Sequence, residues 1–376
     1  MRFLHTSDWH LGRIFHGLRL LEDQAAVLQQ VLSIAKEYNV DALVVAGDIY
    51  DRAVPPTEAV SLLNEVLGQL VLQLKIPVIL IAGNHDNPDR LNFGQALFAS
   101  RQLFITGPVP AQPHPVVLED AHGPVYFAPF PYCEPLQATE LSGSRKTSHE
   151  AALQWQVESM NAAIPQSARR VALAHVFLTG AQPTPDSERP LSIGGASTVS
   201  IRCFDAFHYT ALGHLHACQN CSQKVRYSGS FAEASQKKAV HIVDMDGTGD
   251  ISVETIPLKA PHELAVLTGT FNELLTKPHL EHRNNYLKVQ LTDETPVLDA
   301  KHRLEQVYPQ ILQLGYTRLL PRKKEEKTDT PQRQGTSVLD LFETFFQETQ
   351  GRPLSEEERK LFLRVAEEAQ QEGRNV

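Results

Sequence analysis

Cysteine, methionine and tryptophan are scarce: four, three and two residues in a chain of 376. Cys133, Cys203, Cys218 and Cys221 are too few to staple a chain this long, which points to a reducing cytoplasm rather than a secreted disulfide scaffold. Long apolar runs are missing too. None approaches the ~18 to 20 residues that a spanning helix requires, so no helical membrane protein is expected. The opening Met-Arg-Phe-Leu-His-Thr-Ser-Asp lacks the basic, apolar, small-residue order of a secretory signal. Positive charge is in deficit, 35 basic against 44 acidic residues for a net −9. That is the wrong sign for gripping nucleic acid by bulk charge alone. With 42% hydrophobic and 21% charged residues the chain is compositionally globular, and its length suggests two or three domains at roughly 150 residues each. Histidine, by contrast, is plentiful: sixteen residues, several beside acidic ones.

The first half alternates short apolar runs with amphipathic stretches. Arg2 to Thr6, Ala42 to Ala46 and Pro77 to Ala82 read as strands, with helices over Glu22 to Tyr38 and Thr57 to Leu74 between them. This βαβαβ order predicts a parallel or mixed sheet with covering helices. Further strands are expected at Pro124 to Pro129, Val171 to Ala174, Tyr209 to Leu212 and Val240 to Val243, with a helix over Ser148 to Ala163. Leu178 to Ser200, rich in Pro, Gly and Ser, reads as a long surface loop. Beyond Pro257 to Pro261 the pattern changes to a small α+β domain: strands Leu264 to Thr268 and Tyr286 to Leu291, a helix near Leu298 to Gln313 and a strand near Thr317 to Leu320. Residues 322–336 form a polar linker. Two terminal helices are announced by Ser337-Val-Leu-Asp340 and Ser355-Glu-Glu-Glu358, both with capping-box spacing.

Chemistry concentrates at strand ends. Asp8-Trp9-His10, Gly47-Asp48-Ile49-Tyr50-Asp51 and Gly83-Asn84-His85-Asp86 each follow an apolar run. His175 and Gly213-His214-Leu215-His216 follow two later ones. C-terminal strand ends are where α/β folds gather ligands, so these clusters are expected to converge. Any single His or Asp in such a place could be a turn former; five clusters together are hard to explain that way. Imidazole and carboxylate without thiolate suit Mn²⁺, Fe²⁺ or Zn²⁺ better than Ca²⁺. Seven ligand candidates exceed one coordination sphere and fit two ions ~3.5 to 4 Å apart sharing a carboxylate, with Asp48 central in strand order.

Asp-X-His, Gly-Asp-X-X-Asp, Gly-Asn-His-Asp, a lone His and Gly-His-X-His together resemble the calcineurin-like metallophosphoesterases. More closely, His5-Thr-Ser-Asp-Trp-His-Leu-Gly12, Ser187-Glu-Arg-Pro-Leu191 with Gly194-Gly195, Ala211-Leu-Gly-His-Leu-His216 and Arg226-Tyr-Ser-Gly-Ser230 resemble the SbcD-type nuclease subunits, bacterial relatives of the Mre-type double-strand-break nucleases. The resemblance spans the chain. It implies an α/β metallophosphoesterase sandwich of mixed sheets flanked by helices over 1–258, a capping domain over 259–321, a linker over 322–336 and a docking helix-loop-helix over 337–370. It implies two Mn²⁺, or Mg²⁺ or other divalent ions, one held by Asp8, His10, Asp48 and His216 and the other by Asp48, Asn84, His175 and His214. His85 would act on the leaving oxygen with Asp86 orienting its ring. The implied activity is DNA cleavage, 3′-5′ exonucleolytic on double strands and endonucleolytic on single strands and hairpins, in end processing, repair and recombination. The implied partners are DNA, a second copy of the chain and an SbcC-type coiled-coil ATPase in a heterotetramer, since the sequence carries no Walker-type phosphate loop. Relatives outside the bacterial type carry a second catalytic His near Asp51, so no role is assigned to Asp51. A phosphatase acting on small molecules or proteins with the same metal core is the alternative.

Weaker signals complete the reading. Arg13, His16, Arg52 and Arg90 lie just beyond the metal clusters and are candidate phosphate contacts. Trp9 either stacks on a base or walls the pocket. Cys218-Gln-Asn-Cys221 is half a zinc motif without a second pair and is expected to be reduced. Val338, Leu341, Phe342, Phe345 and Phe346, and then Leu361, Phe362 and Val365, form two terminal apolar stripes. Helices over Thr57 to Leu74 and Leu91 to Ala99 carry enough apolar residues for a homodimer contact.

Overall fold

The structure, a computed structural model, describes residues 1–182, 198–231 and 238–317, together with 342–343, 346–347, 352–356, 358–359 and 361–362. The chain divides into two compact units, Met1–Leu320 and Pro321–Val376.

Two six-stranded sheets form the heart of the first unit. One runs, in spatial order, Ile251–Leu258, Lys238–Met245, Arg2–Thr6, Ala42–Ala46, Val78–Ile81 and Leu103–Thr106. The other runs Gln219–Asn220, Val225–Tyr227, Tyr209–Gly213, Arg169–His175, Gly123–Phe130 and Val116–Asp120. The central strands of each are parallel. Being covered on both faces, they are apolar along their whole length rather than alternating, as in Ala42-Leu-Val-Val-Ala46. Side chains of alternate parity separate the layers. Leu4, Leu43, Val45 and Leu80 face outward onto Val27, Leu28 and Val31 of the Leu21–Glu37 helix and Leu63 and Val66 of the Thr57–Gly68 helix. Phe3, Val44 and Ile79 face inward onto Phe127, Leu173 and Tyr209 of the second sheet. The Phe3 ring meets Phe127 and Tyr209 edge-on, at 5.5 and 5.6 Å between centroids. On the far side Ala172, Ala174 and Leu212 are covered by Leu153, Val157 and Met160 of the His149–Ala163 helix. That helix begins where its sequence says it should, with the Ser148 hydroxyl accepting from Ala151 N. The expected sandwich of mixed sheets with flanking helices is therefore present.

Several expected elements are corrected. The helix expected over 91–99 is two pieces, Pro88–Leu91 and Gln95–Ala99, because Gly94 between them sits at φ +75°. The Thr57–Gly68 helix runs on into a π-turn, Gln69–Gln73. Edge strands are half exposed and mixed in polarity: Ile251–Leu258 has no contiguous apolar run to announce it, and Val116–Asp120 has one of only three residues. A third sheet, Leu264–Gly269, Tyr286–Leu291 and Ile311–Tyr316, is all parallel and has its own core of Leu267, Leu274, Leu287, Val289, Leu304 and Tyr308. Its helices are Phe271–Thr276, closed by a Thr270–Glu273 capping box, and Ala300–Glu305. The helix expected to reach Gln313 stops early because Pro309 cannot continue it, and the last strand starts at Ile311 rather than Thr317.

In the second unit Phe342 and Phe362 stack at 3.9 Å with rings 5° apart. Arg359 pairs with Glu343 at 2.9 Å. Ser355 and Glu358 close the expected capping box: Ser355 N donates to Glu358 Oε2 (2.8 Å), and Glu358 N donates to Ser355 Oγ (3.3 Å). Ser337 to Asp340, Leu341, Phe345, Val365, the 322–336 linker and residues 183–197 of the Pro/Gly-rich loop lie outside the described residues.

Candidate metal centre

Parallel strands bring their C-terminal ends to one edge, and the two sheets present those edges together. From the first sheet, Thr6 leads to Asp8, Ala46 to Asp48, and Ile81 to Asn84 and His85. The second supplies His175, the last residue of its strand, and His214 and His216 just after Gly213. Two loops are zipped side by side by Asp8 N to Gly47 O (3.0 Å), His10 N to Asp48 O (3.0 Å) and Leu11 N to Ile49 O (2.9 Å). Asp8, His10, Asp48 and His214 all adopt positive φ, +53°, +44°, +51° and +103°. Such backbone costs about 1 to 3 kcal/mol per residue and persists only where surroundings over-determine it. The glycines are steric requirements: a Cβ on Gly83 would stand 2.1 Å from Asp48 Oδ1, and one on Gly47 2.3 Å from His175 Nδ1.

All seven sequence-predicted ligands meet here. His10 Nε2 lies 3.1 Å from His216 Nε2 and 3.5 Å from Asp48 Oδ2. Asp48 Oδ2 is also 3.4 Å from His175 Nε2. Asn84 Oδ1 faces His175 Nε2 at 2.8 Å and His214 Nδ1 at 3.1 Å. Asp8 accepts from His214 N at 2.9 Å and from the Ser7 hydroxyl. Asp8, His10 and His216 form one group of converging ligand atoms, and Asp8, Asp48 and His175 another. Asp8 is common to both, Asp48 Oδ2 reaches His10 of the first group at 3.5 Å, and His10, Asp51 and His85 form a third such group.

The donor set fits divalent cations. His175 Nδ1–H donates to the Ala46 carbonyl (2.9 Å), which leaves Nε2 to present its lone pair to Asp48 and Asn84. His10 Nδ1 and Asp48 Oδ2 are fully buried and make no hydrogen bond. Lone pairs therefore converge in a dry space, an arrangement that is costly unless a cation occupies it. Titration behaviour agrees. Burial pushes Asp8 up to about 6 against the pull of His175. Burial also opposes charge on Asp48, yet His175 and His10 hold it well below the usual carboxylate range. His10 is kept neutral by burial. Desolvation opposes charge on His175, but Asp48 wins and raises it to about 10, so without metal a proton takes the cation's place.

Around this centre the other candidates sort themselves. His85 N donates to Asp48 Oδ1 (2.9 Å), and its ring Nδ1–H donates to the Asp51 carbonyl (2.7 Å). That carbonyl, rather than Asp86, is the hydrogen-bond partner that orients the ring. Asp86 carboxylate oxygens are taken by Gly83 N, Ile49 N and Tyr50 N at 2.9 to 3.1 Å, bracing two ligand loops against each other. Burial, with Asp48 nearby, pushes Asp86 up to about 7. The Asp51 carboxylate lies 3.8 Å from Arg13, 4.0 Å from Arg52 and 4.0 Å from His10 Nδ1. His16 is exposed at the tip of a hairpin, Ile14–Phe15 with Leu18–Arg19, turned by His16 and Gly17 at positive φ. Arg90 is exposed on the Pro88–Leu91 helix. Trp9 is fully buried, its indole N–H on Thr6 and its ring stacked on Phe231, so it walls the site and cannot stack on a base. Cys218 and Cys221 are free.

One participant escaped the sequence reading. Gln24, buried on the first turn of the Leu21–Glu37 helix, bonds Gly12 N, Trp9 O and His10 O. Its only signal is a polar residue at a position of the apolar stripe, three after Leu21 and four before Leu28.

Residues 1–216 match the calcineurin-like phosphoesterase family, and residues 260–350 match SbcD_C, described as the type 5 capsule protein repressor C-terminal domain. Among solved structures, TT1561 of Thermus thermophilus is similar over 68% of this chain and 98% of its own, at 11% identity and a TM-score of 0.42. A dimetal phosphatase from Danio rerio is similar over 69% of this chain and 99% of its own, at 14% identity and a TM-score of 0.41. Among the described residues no helix is long and apolar enough to cross a membrane.

Proposed function

The chain belongs to the calcineurin-like phosphoesterase family, and on that premise we propose that it is the DNA nuclease subunit of an SbcCD-type complex. It is a metal-dependent phosphoesterase, and the pairing of the two family matches supports an SbcD-type nuclease. The observation that carries the reading is the Asp48 carboxylate, whose Oδ2 lies 3.5 Å from His10 Nε2 on one side and 3.4 Å from His175 Nε2 on the other, while its Oδ1 accepts from His85 N.

Asp8, His10, Asp48 and His216 would hold one divalent ion, and Asp48, Asn84, His175 and His214 the other, Mn²⁺ being the proposed metal. When bound, two such ions supply Lewis-acid polarisation of the phosphoryl oxygens and a nucleophile from water near neutral pH. The chain's own residues do the rest. The Ala46 carbonyl fixes the His175 tautomer so that Nε2 faces the centre. The Asp51 carbonyl holds His85 Nδ1–H and so turns Nε2 to the centre; the ring would act as the imidazolium, giving its Nε2 proton to the departing oxygen and keeping the Nδ1 proton on Asp51 O. His85 stands edge-on to His10 at 4.8 Å between ring centroids, and its proposed role is at the reacting phosphate rather than as a ligand. Asp86 holds the loops that carry Asp48 and Asn84 at their separation. Arg13, His16, Arg52 and Arg90 are the proposed phosphate contacts; Arg13 and Arg52 flank the centre and share the Asp51 carboxylate at the long distances of 3.8 and 4.0 Å.

The division into a 1–258 nuclease domain, a 259–321 capping domain, a 322–336 linker and a 337–370 helix-loop-helix is retained as part of this proposal. The stacked Phe342 and Phe362 support two packed terminal helices docking on the coiled-coil ATPase, and exposed Phe93 and Leu97 support a homodimer. Cleavage of double strands from the 3′ end and of single strands and hairpins, in the cytoplasm, is the activity proposed.

The test is a Mn²⁺-supported assay comparing hairpin DNA with bis(p-nitrophenyl) phosphate, with and without the ATPase. Cleavage of the hairpin, stimulated by the partner, is expected. Hydrolysis of the small diester with intact DNA would favour a phosphatase on the same metal core.

A further inference from the structure

Gln24 reaches from the Leu21–Glu37 helix to the ligand loop, and it satisfies its whole amide there. Oε1 accepts from Gly12 N at 3.0 Å, while Nε2 donates to Trp9 O at 3.0 Å and to His10 O at 2.7 Å. These bonds bracket His10, which is held at φ +44°. The same helical turn also receives the third sheet. Asp23, the neighbouring residue, pairs with His262 Nδ1 at 2.8 Å, and the His262 ring lies 4.9 Å from Tyr286 of that sheet. Two turns on, Gln30 exchanges two hydrogen bonds with the backbone of Lys259, donating to its O (2.7 Å) and accepting from its N (3.0 Å).

We propose that Gln24 is a positioning residue for His10, and that docking of the 264–316 module through the Asp23–His262 pair sets how firmly the ion held by Asp8, His10 and His216 is bound. This rests on the two-ion reading above. The physical reasoning is short. A left-handed backbone at a ligand persists only under external restraint. Gln24 supplies that restraint on one side, and the 47–51 loop on the other. Anything that shifts the first turn of the helix shifts Gln24 with it, and Asp23 is the module's handle on that turn. Groups that orient ligands without touching metal commonly change affinity 10- to 100-fold when removed.

Calorimetric titration of the full-length protein with Mn²⁺ tests this without relying on turnover. Gln24→Ala is expected to weaken one binding step at least tenfold and leave the other within about threefold. Gln24→Glu, which keeps the acceptor for Gly12 N but sets a carboxylate oxygen against the Trp9 and His10 carbonyls, should weaken the same step at least as much. His262→Ala, at a half-buried site far from any ligand, should weaken the same step about threefold, and the double variant should weaken it less than the product of the two. A general loss of structure would instead lower both steps together. Equal weakening of both steps, or wild-type affinity in Gln24→Ala, overturns the positioning role. Wild-type affinity in His262→Ala overturns the link to the module, and this variant serves where Gln24→Ala does not fold. If wild type itself binds fewer than two ions, the two-ion reading fails first.

Discussion

Asp48 carries more obligations than any other side chain at the site. One oxygen accepts from His85 N, and the other faces His10 and His175 with no hydrogen bond of its own. Replacing it removes the shared ligand of both ion sites, so Asp48→Ala should lose both ions and all activity. His85→Ala removes a ring that packs edge-on against His10 but none of the proposed ligands, and its backbone N–H to Asp48 remains. It should keep two ions and lose about 10²- to 10⁴-fold in rate, the usual worth of a positioned general acid. Metal titration beside a nuclease assay separates the two, and a fully active His85 variant would remove the proposed role. A second residue-scale prediction concerns stability. His241 is buried between the Tyr227 carbonyl and the Thr255 hydroxyl, and burial lowers its pKa to about 4. A histidine whose folded pKa lies below its unfolded ~6.5 favours the native state above that value and penalises it as pH falls toward 4. Across that window the penalty reaches roughly 3 kcal/mol. Asp8 and Asp86, raised by burial, shift stability the opposite way. The clean measurement is therefore the difference between wild type and His241→Gln in urea unfolding. Wild type should lose ground to the variant between pH 6.5 and 4, and a constant difference would refute the assignment.

At the scale of elements, what could be read from sequence and what could not have physical causes. Central strands were legible because burial on both faces makes them continuous apolar runs, and the ligands were legible because polar residues follow those runs abruptly. Edge strands such as Ile251–Leu258 were hidden by their mixed polarity. The resemblance implies that Asp86 orients the His85 ring, whereas the turn sends its carboxylate across to Ile49 and Tyr50. Gln24 is not legible in the sequence because a single polar position carries no sign of what it bonds. The terminal helices announce themselves by local signals alone, a capping box and two apolar stripes, and the Ser355–Glu358 box forms as expected. Such a module, joined by a polar linker, gains effective concentration at a partner from tethering. Truncation after Pro321 should leave Mn²⁺ binding and hairpin cleavage in place while abolishing co-purification with the ATPase. Retained tight association would place the contact in the first unit instead.

For the whole molecule, net charge of −9 no longer conflicts with a polyanionic substrate. Three of the acidic residues, Asp8, Asp48 and Asp86, are buried at the centre, where two divalent ions would bring about four positive charges to the phosphate. On the proposed function, grip on DNA would then depend on local cations and on the proposed homodimer. Phe93 and Leu97 are 82% and 76% exposed, and Leu72 and Val60 are exposed near them. Phe93, Leu72 and Val60 border a groove of about 1000 Å³ lined also by Leu63, Leu67, Val71 and Phe98, and Leu97 is on the Gln95–Ala99 helix beside Phe98. Exposed large apolar side chains gathered at one groove are the feature on which the proposed homodimer contact rests. Arg90 and Arg101 lie on the same groove, so a second copy docked there would carry paired cations beside the apolar contact. Phe93→Glu with Leu97→Glu should convert a dimer to a monomer in sedimentation equilibrium and leave Mn²⁺ binding unchanged, because neither residue reaches the ligand loops. Hydrolysis of a small diester should persist in that monomer, whereas cleavage of long DNA should fall, since one protomer would present only half of the cations. A double variant that stays dimeric would move the dimer contact to another face.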